Sequence, residues 1–148
     1  MKISDYFEIE EFVPVGLFKL FGARSVWYFD HELVLAAELI RECLAGTPIT
    51  INNWHRGGAY QYRGFRPRSC TVGVAYSMHR LGKAIDVSSK LFTPPQILAR
   101  MQHRKADFLA LGITTIENLK DTPTWLHLDR RPRIAGIHPE EDFLIVNG

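Results

Sequence analysis

Two short stretches carry residue types that hold metal ions. Ser77-Met78-His79-Arg80-Leu81-Gly82-Lys83-Ala84-Ile85-Asp86 fits Ser-x-His-x-x-Gly-x-Ala-x-Asp, and Trp125-Leu126-His127-Leu128-Asp129 fits Trp-x-His-x-Asp. Zinc favours imidazole nitrogen and carboxylate oxygen, and a catalytic zinc keeps one of its four positions open for water. The two cysteines, Cys43 and Cys70, form no Cys-x-x-Cys pair, so a thiolate site is not expected. His31, His55, His103 and His138 have no ligand partners at useful spacing and read as ordinary surface or helix histidines.

The elements that must position these residues follow from local pattern. Thr124–Arg130 alternates, with Leu126 and Leu128 on one face and Trp125, His127 and Asp129 on the other. The leucines belong in the core, so His127 points into a cleft. In the strand expected over Ile113–Leu119, Ile116 joins the core and Glu117 falls on the His127 face. With a three-residue turn at 121–123 Glu117 lies opposite His127, within the range of cross-strand partners; a four-residue turn shifts that register. Lys83–Ser88 reads as a short strand and Ile49–Asn52 as another. The clearest helix runs from about Asp30, its expected N-cap, to Leu44, with Gly46 just past its end. A second starts at Thr93-Pro94-Pro95 and continues, with a break, to Leu111. Pro14–Gly22 forms a short helix, and residues 1–13 an arm anchored by Tyr6, Phe7, Phe12 and Val13. Asn53–Ser77 is a long irregular stretch, which in a small domain is usually functional. Cys43 falls on the apolar stripe of the first long helix and reads as a buried thiol. Helices early and strands late predict an α+β domain over residues 1–148, with a small antiparallel sheet and helices packed on one face.

The two motifs resemble the zinc D-Ala-D-Ala carboxypeptidase family, which includes bacteriophage endolysins and is similar in fold to the hedgehog signalling domain. Glu10-Glu11-Phe12-Val13 and the helix before Thr47-Pro48-Ile49 also look like the phage-type members, so the resemblance covers most of the chain. It implies zinc as cofactor and His79, Asp86 and His127 as its ligands. It also implies hydrolysis of a peptide bond in bacterial peptidoglycan, at the D-Ala-D-Ala end or within the stem or cross-bridge. Many members carry a Glu three residues before the last His ligand; this chain has Thr124 there. Glu117 is the first candidate for the base and Asp121 the second. Arg66 and Arg56 are candidates for the arginine that relatives use on the substrate. Asp129 either holds a ligand imidazole in its tautomer or pairs with Arg130 or Arg131. Ser77 either bonds near the metal or caps the turn before His79.

Bulk composition, 46% hydrophobic and 23% charged, is ordinary for a soluble globular protein. The 148 residues carry 18 basic and 16 acidic side chains, net +2, too little to imply a nucleic-acid partner. No acid lies between Glu42 and Asp86, while Arg56, Arg63, Arg66, Arg68, Arg80 and Lys83 do, which suggests an anionic ligand near the site. The arginines of 54–68 interleave with Trp54, Tyr60, Tyr62 and Phe65, a mixture that also suits single-stranded nucleic acid but explains neither motif. The start, Met1-Lys2-Ile3-Ser4-Asp5, lacks the apolar run of a signal peptide, and membrane insertion is not expected. The expected protein is a monomer held in the cytoplasm until release to the wall, or a virion component. The alternative is a zinc-containing wall-binding or phage structural module that has lost catalysis.

Overall fold

A computed structural model describes residues 1–148. It is a mixed α/β structure with a four-stranded sheet and several helices. Four α-helices span Val15–Phe21 (α1), Glu32–Cys43 (α2), Pro94–Gln102 (α3) and Lys105–Ala110 (α4). The strands are Ala84–Val87 (β1), Thr115–Glu117 (β2), Leu126–Asp129 (β3) and Leu144–Val146 (β4), in the spatial order β1-β3-β2-β4. Ile85, Val87, Ile116, Leu126 and Leu128 join Leu33, Ala36, Ala37, Ile40, Ile97, Met101 and Phe108 in one buried cluster. The opposite sheet face carries Asp86, His127 and Asp129.

The sheet is not wholly antiparallel, as the pattern led one to expect. β3 runs antiparallel to both neighbours, but β4 pairs parallel with β2. The segment after β3 is long enough to return to the starting end of β2, where Phe143 buries against Phe108 at 6.3 Å. The strand expected at Ile49–Asn52 shrinks to a single bridge, Thr50 to Ser88. Beyond it the loop takes over the outer edge of β1: the Asp86 N–H donates to the Arg63 carbonyl at 2.7 Å. Asn52 turns its side chain to the loop, donating to the Val13 carbonyl and accepting from the Arg63 N–H.

Three local expectations change. Asp30 does not cap α2 with its side chain, which pairs instead with Arg130; Arg130 also meets Glu32 at 3.2 Å. Tyr6 is exposed rather than anchoring the arm, with the Arg41 guanidinium 4.3 Å from its ring, whereas Phe7, Phe12 and Val13 are buried. Cys43 is only half-buried, Cys70 is the buried thiol, and both are free. The second long helix breaks as its sequence suggested. Thr93 and Gln96 form a capping box at the start of α3, and the chain interrupts at His103-Arg104 before α4.

Gly82 is the turn on which the first motif depends. It adopts φ +68°, and a Cβ there would collide with the Tyr28 carbonyl oxygen. Gly46 also has a positive φ, +80°, but faces open space. Gly46→Ala should therefore cost about 1–2 kcal/mol of left-handed strain. Gly82→Ala, which adds a backbone collision to that strain, should cost at least about 3 kcal/mol. Urea denaturation of the two variants checks the order; equal losses would mean that the close approach to Tyr28 relaxes freely.

Candidate metal centre

The 3-10 turn Met78–Leu81 delivers His79, and the adjoining strand β1 delivers Asp86. Ser77 caps that turn: its hydroxyl accepts from the His79 N–H at 3.3 Å. The pairing of β1 with β3 then sets Asp86 directly opposite His127. All three side chains are buried. His79 Nε2 lies 3.2 Å from Asp86 Oδ1 and 3.2 Å from His127 Nδ1, and His127 Nδ1 lies 2.8 Å from Asp86 Oδ1. A tetrahedral ion with bonds of about 2.0–2.1 Å needs donor atoms about 3.3 Å apart. These three atoms therefore form a group that can hold a metal ion with little movement.

The atoms behind the three side chains fix which atom of each faces the centre. His79 Nδ1 is 2.8 Å from the Gly64 carbonyl, and His127 Nε2 is 3.1 Å from Asp129 Oδ2. Each imidazole thus has one nitrogen committed to an acceptor and the other turned inward, the arrangement that orients metal-bound histidines. Asp86 is held likewise, with Oδ2 accepting from Arg66 Nη2 at 2.9 Å and Oδ1 facing the centre. Gly64 can offer its carbonyl because its Cα abuts the Phe12 backbone, where a Cβ would collide. No sequence signal marks that carbonyl, since backbone acceptors carry no side-chain identity.

Charge is balanced inside this group. Burial works against a charge on His127, but hydrogen bonds and attraction from Asp129 and Asp86 outweigh it and raise its pKa to about 9. Burial also opposes ionisation of Asp86, yet the two imidazoles hold its carboxyl far below the usual range. Asp129 is fully buried and is likewise lowered, because His127 and Arg131 outweigh burial. Its carboxylate accepts from Arg131 as well, so both roles open to it in the sequence are filled together. His79 stays neutral, its pKa lowered chiefly by burial.

The centre forms the floor of a cleft of about 510 Å³ whose walls include Arg66, Tyr76, Glu117, Trp125 and Arg131. The β2–β3 register, Thr115 to Asp129 and Ile116 to Leu128, brings Glu117 alongside His127, with Oε2 3.8 Å from Nδ1. Asp121 lies outside the cleft and accepts from the Gly148 N–H at 3.1 Å. It thereby ties down the 146–148 segment, which lines the cleft beside Glu117, a wall that no pattern in the sequence announced. Arg56 is also outside, paired with Glu8 at 3.4 Å. Arg66 is inside, but it spends Nη2 on Asp86 and Nε on the Tyr62 carbonyl. Arg131 was missed as a cleft residue, although it continues the 125-127-129 alternation.

Comparison with protein-family models, curated proteins and solved structures finds no match to this chain. The resemblance to zinc peptidases therefore rests on the sequence alone, its two specific motifs above all, and the geometry stands independently of it.

Because its folded pKa is raised, His127 stabilises the metal-free protein fully below about pH 6.5, and that contribution disappears as pH rises through about 9. The lowered carboxyls act in the opposite range: their contribution is present above about pH 4 and is lost as pH falls towards their folded values. The urea midpoint of the metal-free protein should fall between pH 7 and pH 10, and fall less in His127→Gln. Equal falls in the two proteins would show that His127 is not held as an imidazolium. Asp129→Asn should weaken metal uptake about 10–100-fold, as loss of an orienting carboxylate does; competition with a chromogenic chelator measures this.

Proposed function

We propose that the chain is a zinc peptidase that hydrolyses a peptide bond of bacterial peptidoglycan, of phage or prophage origin. The observation that carries this reading is the convergence of His79 Nε2, Asp86 Oδ1 and His127 Nδ1 on one point at the floor of an open cleft, with Glu117 beside it. Two imidazoles and a carboxylate are a donor set that zinc accepts, and three ligands leave one position free. Zinc held there would supply a Lewis acid that polarises the peptide carbonyl and lowers the pKa of water.

The chain's own residues supply the rest. Glu117 stands beside the centre on β2; as a water oxygen bonds to the peptide carbonyl carbon, its Oε2 would take that water's proton and deliver it to the nitrogen released when the C–N bond breaks. Asp129 and the Gly64 carbonyl keep the two imidazoles in the tautomers that face inward. Arg66 holds Asp86 by one oxygen, leaving the other for the centre. Tyr76 and Trp125 stand on the cleft walls, where they would flank a bound peptide. The substrate is the D-Ala-D-Ala end, the stem or the cross-bridge of the wall peptide, by the motif resemblance.

A second reading, a zinc-containing wall-binding or phage structural module without catalysis, is favoured by one set of observations. Thr124 replaces the acid many relatives carry, and both cleft arginines already serve carboxylates of the site.

The deciding experiment measures metal content together with turbidity loss of a purified peptidoglycan suspension, with and without chelator. About one zinc per chain and chelator-sensitive lysis are expected. Glu117→Gln should keep the zinc and lose about 10²–10⁴-fold in rate, the range of a general base. Zinc without lysis selects the second reading. Failure to take up zinc at all would overturn both.

A further inference from the structure

The segment from Phe12 to Phe29 contains no acidic residue and two basic ones, Lys19 and Arg24. It folds as two pieces, α1 and the 3-10 turn Gly22–Tyr28, with a break at Gly22, φ +53°. The Phe21 and Tyr28 rings meet at 5.2 Å, so the second piece turns back beside the first. The inner side is well anchored: Phe29 stacks on Phe12, Tyr28 meets Phe65 and Phe18 meets Trp54.

The outer side is apolar and uncovered. Leu20 is 75% exposed, Trp27 76% and Val26 37%, and Lys19 and Arg24 are exposed among them. Leu20 and Trp27 are the chain neighbours of the touching Phe21 and Tyr28, which brings them to one end of the unit. Leu81, 63% exposed, extends the patch, because Gly82 beside it packs on the Tyr28 carbonyl and the Phe29 Cα. The flanking acids Asp30 and Glu32 share one cation, Arg130, so the face with its flank carries one net positive charge. Leu20 and Trp27 are each three-quarters exposed within one short folded-back unit, an exposure that costs free energy in water, and exposed apolar side chains gathered on one unit mark an interaction site.

We propose that this face docks on the surface of an anionic lipid bilayer, with Trp27, Leu20 and Leu81 in the headgroup–acyl boundary and Lys19 and Arg24 against lipid phosphates. Charge complementarity selects the partner: cations interspersed with apolar side chains and a tryptophan suit an anionic interface. Tryptophan prefers that level of the bilayer. Such docking is peripheral and needs no spanning helix; none in this protein is long and apolar enough to cross a membrane. The face borders the turn carrying His79 but shares no side chain with the cleft, so docking does not depend on the chemistry of the site.

The test uses the full chain and vesicles of phosphatidylcholine with or without phosphatidylglycerol, read by co-sedimentation and tryptophan emission. Binding to the anionic vesicles with a blue shift is expected, with little binding to phosphatidylcholine alone. Trp27→Phe should remove most of the blue shift while the chain still sediments. Trp27→Ser with Leu20→Ser should lower the partition constant at least tenfold. Lys19→Glu with Arg24→Glu should lower it about thirty-fold or more, at about fivefold per lost cation, and added salt should weaken parent binding. Unchanged circular dichroism and metal uptake in these variants show that the fold is intact. Absence of binding to anionic vesicles, equal binding to both vesicle types, or binding insensitive to these substitutions would overturn the proposal. So would self-association of the parent chain that Trp27→Ser abolishes, which would make the face a contact between copies.

Discussion

The antiparallel pairing of β1 with β3 sets Asp86 opposite His127, and the rest of the centre is arranged around that pair. Burying a carboxylate and two imidazoles is costly unless each is partnered. Here the partners form an unbroken series: the Gly64 carbonyl, His79, Asp86, His127, Asp129 and Arg131, with Arg66 joined to Asp86. Each of these buried polar groups has an acceptor or donor in place. The same pairing puts Ile85 and Val87 beside Leu128 and Leu126 on the other face. Core packing and site geometry are thus two consequences of one strand register.

The irregular stretch after Asn53 serves that register. Arg80 donates to the Arg68 and Cys70 carbonyls at 2.7 Å and to the Val74 carbonyl, and Arg63 bonds Ser88 while stacking on Tyr60. Asn52 and Asn53 hold other backbone groups of the loop. Much of the basic charge that suggested an anionic ligand is therefore spent on fixing a loop without a disulfide. What the loop gains is placement: Gly64 and Arg66 arrive behind His79 and Asp86.

Glu117 and Asp121 show how similar acids near one hairpin come to differ. Glu117 is half-buried on the sheet face that meets the cleft, and its distance from His127 follows from the strand register. Asp121 lies beyond the end of the strand and bonds a backbone N–H of the 146–148 segment. One is aimed at the centre; the other shapes the wall beside it. The apolar face on α1 and the turn after it belongs to neither task, which is why it is read as a surface of its own.

The sequence by itself determined the ligand-type residues, the helices and the sheet face on which they had to lie. Those features depend on side-chain type and on periods of 3.6 and 2, which are local. Leu126 and Leu128 pointed inward because they are apolar, and His127 had to point the other way. Tertiary structure decided what depends on distant backbone. It set the parallel return of β4 and reduced the Ile49–Asn52 strand to one bridge, because the loop occupied the edge of β1. It gave Asp30 to Arg130 rather than to a helix end and left Arg56 outside the cleft. It also brought up the Gly64 carbonyl. Two acceptors 15 and 2 residues from the histidines they serve fix both imidazoles. Of these, only the side-chain carboxylate was legible, because a carbonyl's position is set by chain path and not by residue type.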